Sequence, residues 1–260
     1  MADAYVHRHD LKAHDFAALD QFNFKYAPVG FSFFNTEPEP HLGLEKLQDN
    51  MAWCRMLPRA NVEGKAFYAT EENQFCEPGV FLCGYQPPVP IASGGLIGPA
   101  FDIFPTERAN RRVYDQLTYL KPGSVHSTAF APISKLTFEP DLLILTTDNM
   151  DQTERILRAT QYDTGDAIVS TMTYVMGCNW LFTYPYVSGK INYLTTGVCY
   201  GMKMYKLYPA GLQMIVIPWM HIDRVLKNIR EMPWSCPGHT DKKEEFYKVA
   251  HARLGVEQII

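Results

Sequence analysis

The sequence feature that most constrains the fold is the continuous apolar run LLILTT at 142–147, which closely follows Pro140. A strand that is covered on one face alternates apolar and polar residues, whereas a strand that is buried on both faces is apolar throughout. The run therefore predicts a strand in a sheet that is sandwiched by helices.

Further strands and helices interleave along the chain. Apolar segments predict four more strands, at 28–34, 65–70, 191–196 and 212–217. Apolar residues at steps of three and four predict helices at 44–56, 106–120, 151–161, 222–232 and 240–254, and the first predicted helix covers 11–24. This order predicts an α/β (or α+β) fold, with one compact domain over 1–260 and a mixed sheet flanked by helices. The irregular segment 86–104 is interpreted as a long loop or lid.

Charge and hydropathy argue against two classes of partner. The net charge of -4 provides no basic excess for binding nucleic acid. The most apolar segment, 167–182, is shorter than a membrane span and contains Asn179, so we predict a buried helix there and no membrane partner. The N-terminal residues show no secretory signal pattern, and we expect a cytoplasmic protein.

The six cysteines are the strongest candidates for chemistry, although no two of them form a CxxC pair. Cys76 precedes Glu-Pro-Gly, a turn that would expose its thiol near the start of a helix. Glycines lie close to Cys76, Cys178 and Cys199, and they leave room for a metal centre or a substrate to approach the backbone. Cys54 is predicted on the buried face of the helix at 44–56. The alternative is that these cysteines are small buried hydrophobic residues.

Other familiar catalytic motifs are absent from the sequence. The glycine-rich segment SGGLIGPAF at 93–101 lacks both the GxGxxG order and the lysine of a P-loop, which favours a flexible loop over a nucleotide site. GxSxG and HExxH are also absent. We interpret His126 and His221 as surface histidines or as histidines satisfied by a local partner.

Four segments resemble domain-of-unknown-function family 169, a group found in archaea and anaerobic bacteria. They are YAPVGFSFF at 26–34, WCRMLPRANVEGKAFYATEENQFCEPGVFLCGY at 53–85, PISKLTFEPDLLILTTDNMDQTERIL at 132–157 and GVCYGMKMYKL at 197–207. The resemblance implies no established activity. It implies family cysteines at Cys54, Cys76, Cys178 and Cys199.

The resemblance also implies candidate ligand-binding positions. They are Gly79 in the turn after Cys76, and Gly201 and Lys203 in the element that contains Cys199. Lys203 stands where the family motif usually has arginine, and a lysine lacks the planar fork that binds an anion through two hydrogen bonds. Cys83 and Cys236 are not part of the family pattern and are left out of the predicted site.

Three functions remain open on this sequence. The first is a redox or accessory role in which Cys76, Cys178, Cys199 and Cys54 bind an iron-sulfur cluster or another soft metal, because thiolates favour such metals. The second is a small-molecule binding or sensing module without catalysis, whose pocket is lined by aromatic residues, notably those of TYPYVSGKINY at 183–193 and CYGMKMYKLY at 199–208. The third is an enzyme that uses Cys76 as a nucleophile. The predicted partner is accordingly a small molecule or a metal centre.

Overall fold

The computed structural model describes residues 11–196, 202–203, 206, 208–209, 211–233 and 243–255. Its centre is a sheet of seven strands. They are β1 (Val29–Phe34), β2 (Glu45–Lys46), β3 (Phe67–Thr70), β4 (Ser127–Pro132), β5 (Leu142–Thr147), β6 (Asn192–Thr195) and β7 (Gln213–Pro218). The strand order is β2-β3-β4-β1-β5-β7-β6. The β2–β3 pair is parallel and the other five pairs are antiparallel, so the mixed sheet is confirmed.

All five predicted strands are present, and β5 has the predicted bounds. Every residue of β1 and of β5 is buried, as a strand covered on both faces requires. Strands β2 and β4 were not predicted from the sequence. In β4 the hydroxyl residues Ser127 and Thr128 interrupt the apolar pattern, although both are buried in the sheet.

Nine α-helices are present within the described residues, seven of them before the last strand in the chain and two after it. They are α1 (Trp53–Asn61), α2 (Glu77–Leu82), α3 (Pro90–Ser93), α4 (Ile97–Ala100), α5 (Glu107–Tyr114), α6 (Met150–Gln161), α7 (Tyr184–Ser188), α8 (Trp219–Glu231) and α9 (Lys243–Leu254). The predictions for α6 and α8 are confirmed to within a few residues. The segment 86–104 contains the short helices α3 and α4, and a lid function for it stays a prediction.

The predicted helix at 44–56 is wrong over most of its length. Residues before Trp53 run beside β3 and the 3-10 helix η3 (Glu71–Asn73), because Leu47 N–H donates to Tyr68 O at 2.7 Å and Met51 N–H donates to Asn73 O at 2.8 Å. Helix α1 begins only at Trp53, and it contains Pro58 rather than ending before it. Cys54 is buried, as predicted.

The predicted helix at 106–120 ends early, because α5 stops at Tyr114. The predicted helix at 167–182 is wrong for its first half, where Thr171 exchanges two backbone hydrogen bonds of 3.0 Å with the side chain of Asn192. The helical part is a π-helix at Asn179–Thr183, which continues into α7. Within the described residues, no helix combines the length and apolarity that a membrane crossing requires.

Two hydrophobic layers cover the sheet. One face carries an aromatic cluster, in which the Phe31 ring lies 4.7 Å from Phe182 and 4.9 Å from Phe130. Helices α1, α2 and α7 and the π-helix contribute to this layer. The opposite layer contains α6, α8 and the 3-10 helix Phe16–Phe22. Alternate residues of β5 point into the two layers, which explains its continuous apolar sequence.

Candidate functional site

Cys76 occupies the N-cap position of α2, and its half-buried side chain packs against the layer of the aromatic cluster. Pro78 lies in the first turn of the helix, where its missing N–H costs nothing. The predicted helix start at Cys76 is therefore confirmed, but Glu-Pro-Gly forms the first turn of the helix and the thiol is half-buried rather than exposed. Cys83 is the C-cap of the same short helix and is fully buried. Seven residues are close to two helical turns, so both thiols face the same layer.

Cys178 immediately precedes the π-helix and is buried in the same hydrophobic layer. Burial raises the pKa of the Cys83 thiol, and the charges of Cys178 and then Cys76 raise this pKa further. Cys83 therefore lies within electrostatic range of Cys76 and of Cys178, and all three pack in the same hydrophobic layer. We call Cys76, Cys83 and Cys178 the cysteine cluster. The sequence analysis predicted Cys76 and Cys178 as site residues but left Cys83 out. The seven-residue spacing between Cys76 and Cys83 was the sequence signal that could have identified it.

Cys54 has Tyr208 among its neighbours. Burial raises the pKa of Tyr208, and the charge of Cys54 contributes to this shift. The Tyr208 hydroxyl donates to Asn61 Oδ1 at 3.0 Å, and its ring meets Tyr26 edge-on at 5.7 Å. Cys54 itself is the second residue of α1 and is buried in the layer of the aromatic cluster. Its assignment as a metal ligand stays a prediction.

The remaining predicted site residues have different outcomes. Cys199 and Gly201 lie outside the described residues. Gly79 is buried, and a Cβ atom at that position would come within 2.8 Å of the Gln74 side chain. The space at Gly79 is thus filled by the protein itself. Lys203 is exposed, and its Nζ donates to the Tyr174 hydroxyl at 3.0 Å and lies 4.8 Å from the centre of that ring.

A cavity of about 520 Å³ lies beside the end of α5. We call it the tyrosine cavity. It is lined by Ser93, Tyr114, Asp115, Leu117, Thr118, Tyr119 and Val187. Its wall thus combines α3, the end of α5, the turn that follows α5 and the end of α7.

The tyrosine cavity adjoins α2, the helix that lies between Cys76 and Cys83. The Phe81 ring of α2 lies 6.2 Å from Tyr114 and 6.3 Å from Tyr119. Burial raises the pKa of Tyr114 to about 12, and the charges of Glu77 and Cys76 contribute to this shift. Tyr114 therefore connects the cavity with the start of α2.

Asn179 connects the same cavity with the π-helix. This buried side chain donates through Nδ2 to the backbone oxygen of Thr118 and, at 2.7 Å, to Thr183 Oγ1. Asn179 directly follows Cys178, so these hydrogen bonds hold the cysteine beside the turn that lines the cavity. A π-helix is rare, and it occurs frequently at functional sites.

Glu77 is the first residue of α2, and its charge contributes to the raised pKa of Tyr114. Its carboxylate accepts a hydrogen bond from the Val89 N–H, while burial raises the pKa of the carboxyl group. Its Oε1 atom is buried and has no hydrogen-bond partner among the described residues. An unsatisfied buried carboxylate oxygen is costly, and a ligand that donates to it would recover that cost.

A second cavity, of about 380 Å³, lies beside α8 and is lined in part by Lys190, His221 and Arg224. His221 Nε2 is 2.9 Å from Gly189 O, so this nitrogen donates and His221 has a local partner, as predicted. Arg224 Nη1 donates to Asp163 Oδ1 at 2.7 Å. Its guanidinium charge is therefore already paired.

A metal requires several ligands at close range. Among the residues that the structure describes, no group of three or more His, Cys, Asp or Glu side chains is placed to hold a metal ion. The raised pKa of Cys83 means that burial favours its neutral thiol, whereas a metal binds the thiolate. The described part of the chain thus contains a thiol cluster without a formed metal site.

Comparison with known proteins agrees with the sequence resemblance. A profile of domain-of-unknown-function family 169, described as uncharacterised ArCR, matches residues 19–228. The uncharacterized protein MJ0308 of Methanocaldococcus jannaschii is 29% identical over 104 residues, which are 39% of this chain and 44% of that protein. The match therefore spans less than half of this relative. No solved structure matches the chain.

Proposed function

We propose that this chain, which belongs to domain-of-unknown-function family 169, binds a small molecule in the tyrosine cavity beside the cysteine cluster. The observation that carries the proposal is the cavity itself, whose lining residue Tyr114 packs against Phe81 of α2, the helix that begins at Cys76.

The dimensions and the lining of the cavity support this function. Its volume of about 520 Å³ lies within the usual range for sites that bind small molecules. Tyr114 and Tyr119 combine apolar ring faces with hydroxyl groups, and Thr118 adds another hydroxyl. The hydrogen bonds of Asn179 hold the turn in place, so a ligand would not need to order that wall on binding.

The proposal is tested by a thermal-shift screen of small metabolites on the intact protein. A ligand at 100 times its dissociation constant stabilises the folded protein by about 2.7 kcal/mol, which is readily measured. Val187→Trp places a large ring at the edge of the cavity and should abolish the shift. Val169→Trp is the matched control, because Val169 lines the second cavity and is exposed. Hits that survive Val187→Trp and disappear with Val169→Trp would refute the assignment.

A second candidate function is the binding of a soft metal or an iron-sulfur cluster by the cysteine cluster. The observation that favours it is that Cys76, Cys83 and Cys178 pack in one hydrophobic layer, with Cys83 in electrostatic range of the other two. Cys199 would be a further ligand. A bound metal would stabilise the thiolates that burial disfavours, and a cluster would supply electron transfer.

Anaerobic purification, an absorption spectrum and elemental analysis test this second function. Metal that is retained by the wild type and lost in both Cys76→Ser and Cys178→Ser would support it. A comparison of Cys83→Ser with Cys54→Ser then decides which of these two cysteines is a ligand. A colourless protein that contains no iron, zinc or copper after reconstitution would count against any thiolate-bound metal.

A further inference from the structure

A cluster of ionisable side chains lies where the N-terminal residues 11–15 meet α8 and the segment before β5. His14 is at its centre, with a side chain that is only 2% exposed. Its Nε2 lies 3.0 Å from both carboxylate oxygens of Glu139, and its Nδ1 lies 2.5 Å from Asp223 Oδ1 of α8. Each nitrogen of the buried ring therefore faces a carboxylate.

This arrangement fits the doubly protonated form of the ring. A neutral imidazole has one N–H and one lone pair, so one of its nitrogens would direct a lone pair at a carboxylate oxygen. The imidazolium donates from both nitrogens, and a hydrogen bond between two ionised groups is roughly twice as strong as a neutral one. With Glu139 and Asp223 ionised, only two protons on His14 satisfy both contacts.

The other charged groups of this region lie at the surface. Lys12 Nζ is 3.8 Å from Glu139 Oε1, but the lysine side chain is 65% exposed. Asp15 and Arg230 form an ion pair whose side chains are both exposed. Exposed pairs contribute little. Among the described residues that contact the Glu139 carboxylate, His14 is thus the one that brings a buried positive charge.

Glu139 itself is anchored to the sheet. Ser32 Oγ, on β1, donates to Glu139 O at 2.7 Å and accepts from Asp141 N–H at 2.9 Å. Asp141 Oδ2 accepts from Phe33 N–H at 2.8 Å. Burial raises the pKa of Asp141 well above its ordinary value, which favours a neutral carboxyl group beside Glu139. The fixed partner of His14 is therefore a single buried carboxylate on the sheet.

The same carboxylate also holds the backbone of the N-terminal segment. Lys12 N–H donates to Glu139 Oε2 at 3.0 Å. We propose that His14 is a proton-dependent latch, whose doubly protonated ring holds residues 11–14 against Glu139 and Asp223 and whose loss of one proton releases them. The release follows because one nitrogen then directs a lone pair at a carboxylate, and Glu139 loses its buried counter-charge.

The released part is short, because the 3-10 helix that follows is attached independently. Leu19 and Phe22 of this helix are buried in the layer of α6 and α8. Gln152 Nε2, on α6, donates to Phe22 O at 2.6 Å. Opening of the latch therefore exposes Glu139 to solvent and leaves the core packed, so the accessibility of this carboxylate depends on pH.

The Lys12 amide reports the state of the latch, because it donates to Glu139 when the segment is docked. The test is a pH series of NMR spectra on the intact protein labelled with ¹⁵N, which follows the His14 ring nitrogens and the exchange of the Lys12 amide with solvent. Both ring nitrogens should be protonated while that amide is protected. When His14 loses a proton, the protection of Lys12 should fall at least about tenfold, after each rate is divided by the intrinsic rate at that pH.

Two variants and one control test the origin of this change. His14→Gln removes the titrating ring, so the Lys12 protection should be low and independent of pH. Asp223→Asn removes one carboxylate at a 73% exposed position and should shift the release to lower pH without affecting the core. His41→Gln is the control, because His41 Nδ1 lies 3.1 Å from Glu39 Oε2 in an exposed pair, and it should leave the release unchanged.

Three results would overturn the latch. The first is a His14 ring with a single protonated nitrogen while the Lys12 amide is protected, because the proton would then be on a carboxylate. The second is a Lys12 amide that is unprotected at every pH, or whose protection has the same pH dependence in His14→Gln as in the wild type. The third is a release at an unchanged pH in Asp223→Asn, because that carboxylate would then contribute nothing to the proton on His14.

Discussion

Phe182 provides the sharpest test of how the sheet supports the candidate site. It lies in the π-helix that follows Cys178, and it is fully buried. Its ring centre is 4.7 Å from Phe31, 4.9 Å from Trp53 and 5.9 Å from Phe130. The ring therefore fastens the π-helix to the centre of the sheet, and Phe182→Ala removes that contact.

The expected loss of stability follows from these contacts. Removing the ring forfeits roughly 150 Å² of apolar burial, which is about 3.5 to 4 kcal/mol at about 25 cal/mol per Å². The aromatic pairs add roughly 0.5 kcal/mol or more each, and partial collapse of the cavity recovers some of the loss. We expect Phe182→Ala to lower the free energy of unfolding by about 4 kcal/mol. For a chain of this length that corresponds to a fall in Tm of about 8 °C.

Urea unfolding monitored by circular dichroism measures this difference, with differential scanning calorimetry as the second measurement. Phe101→Ala is the matched control, because Phe101 is 65% exposed. It should change the free energy of unfolding by less than about 0.5 kcal/mol. A loss of less than about 1.5 kcal/mol for Phe182→Ala, with an unchanged urea dependence, would refute the reasoning, because the ring could not then fill the centre of the core.

Three further predictions concern titration, reactivity and the N-terminal segment. Burial holds the pKa of the Asp141 carboxyl group well above its ordinary value of 3.8. The protonated carboxyl group therefore stabilises the fold fully below pH 3.8, and this stabilisation is lost as the pH rises through the folded-state pKa. In urea titrations, the stability of Asp141→Asn relative to the wild type should increase from acid to neutral pH. Iodoacetamide should label the half-buried Cys76 faster than the buried Cys54 in a peptide-mapping time course, and equal inertness would argue against a reactive thiol. His14 Nε2 lies 3.0 Å from Glu139 Oε2, and both side chains are almost fully buried. His14→Gln should therefore lower the free energy of unfolding, measured with urea, by about 2 to 3 kcal/mol. A change of less than about 0.5 kcal/mol would show that the pair contributes little.

Local patterns predicted the elements whose partners lie close in sequence or whose burial is uniform. Helix α6 follows its own periodicity, and Asn149 caps its first turn by accepting from Asp151 N–H at 2.8 Å. Strand β5 is apolar throughout because both of its faces are covered. The prediction failed at 44–52, where β3 and η3 take the backbone hydrogen bonds that a helix would use. The pattern of apolar residues within a short segment does not show that a strand distant in sequence will accept the segment's backbone hydrogen bonds.

The candidate site was predictable to a smaller extent. The turn context of Cys76 was visible in the sequence because a proline in the first helical turn is a local signal. The involvement of Cys83 depends on α2 packing against the segment that contains Cys178, nearly a hundred residues later. The tyrosine cavity was not predicted, because its wall combines residues from α3, α5 and α7.

The sequence by itself determined that the chain forms a sheet covered on both faces, because burial on both faces leaves the continuous apolar pattern of β5. It also determined that Cys76 begins a helix, since proline geometry acts within a few residues. Only the tertiary structure decided that Cys76, Cys83 and Cys178 pack in one hydrophobic layer, and that residues of α3, α5 and α7 line one cavity. Contacts between distant segments depend on how layers pack, and layer packing has no local sequence period.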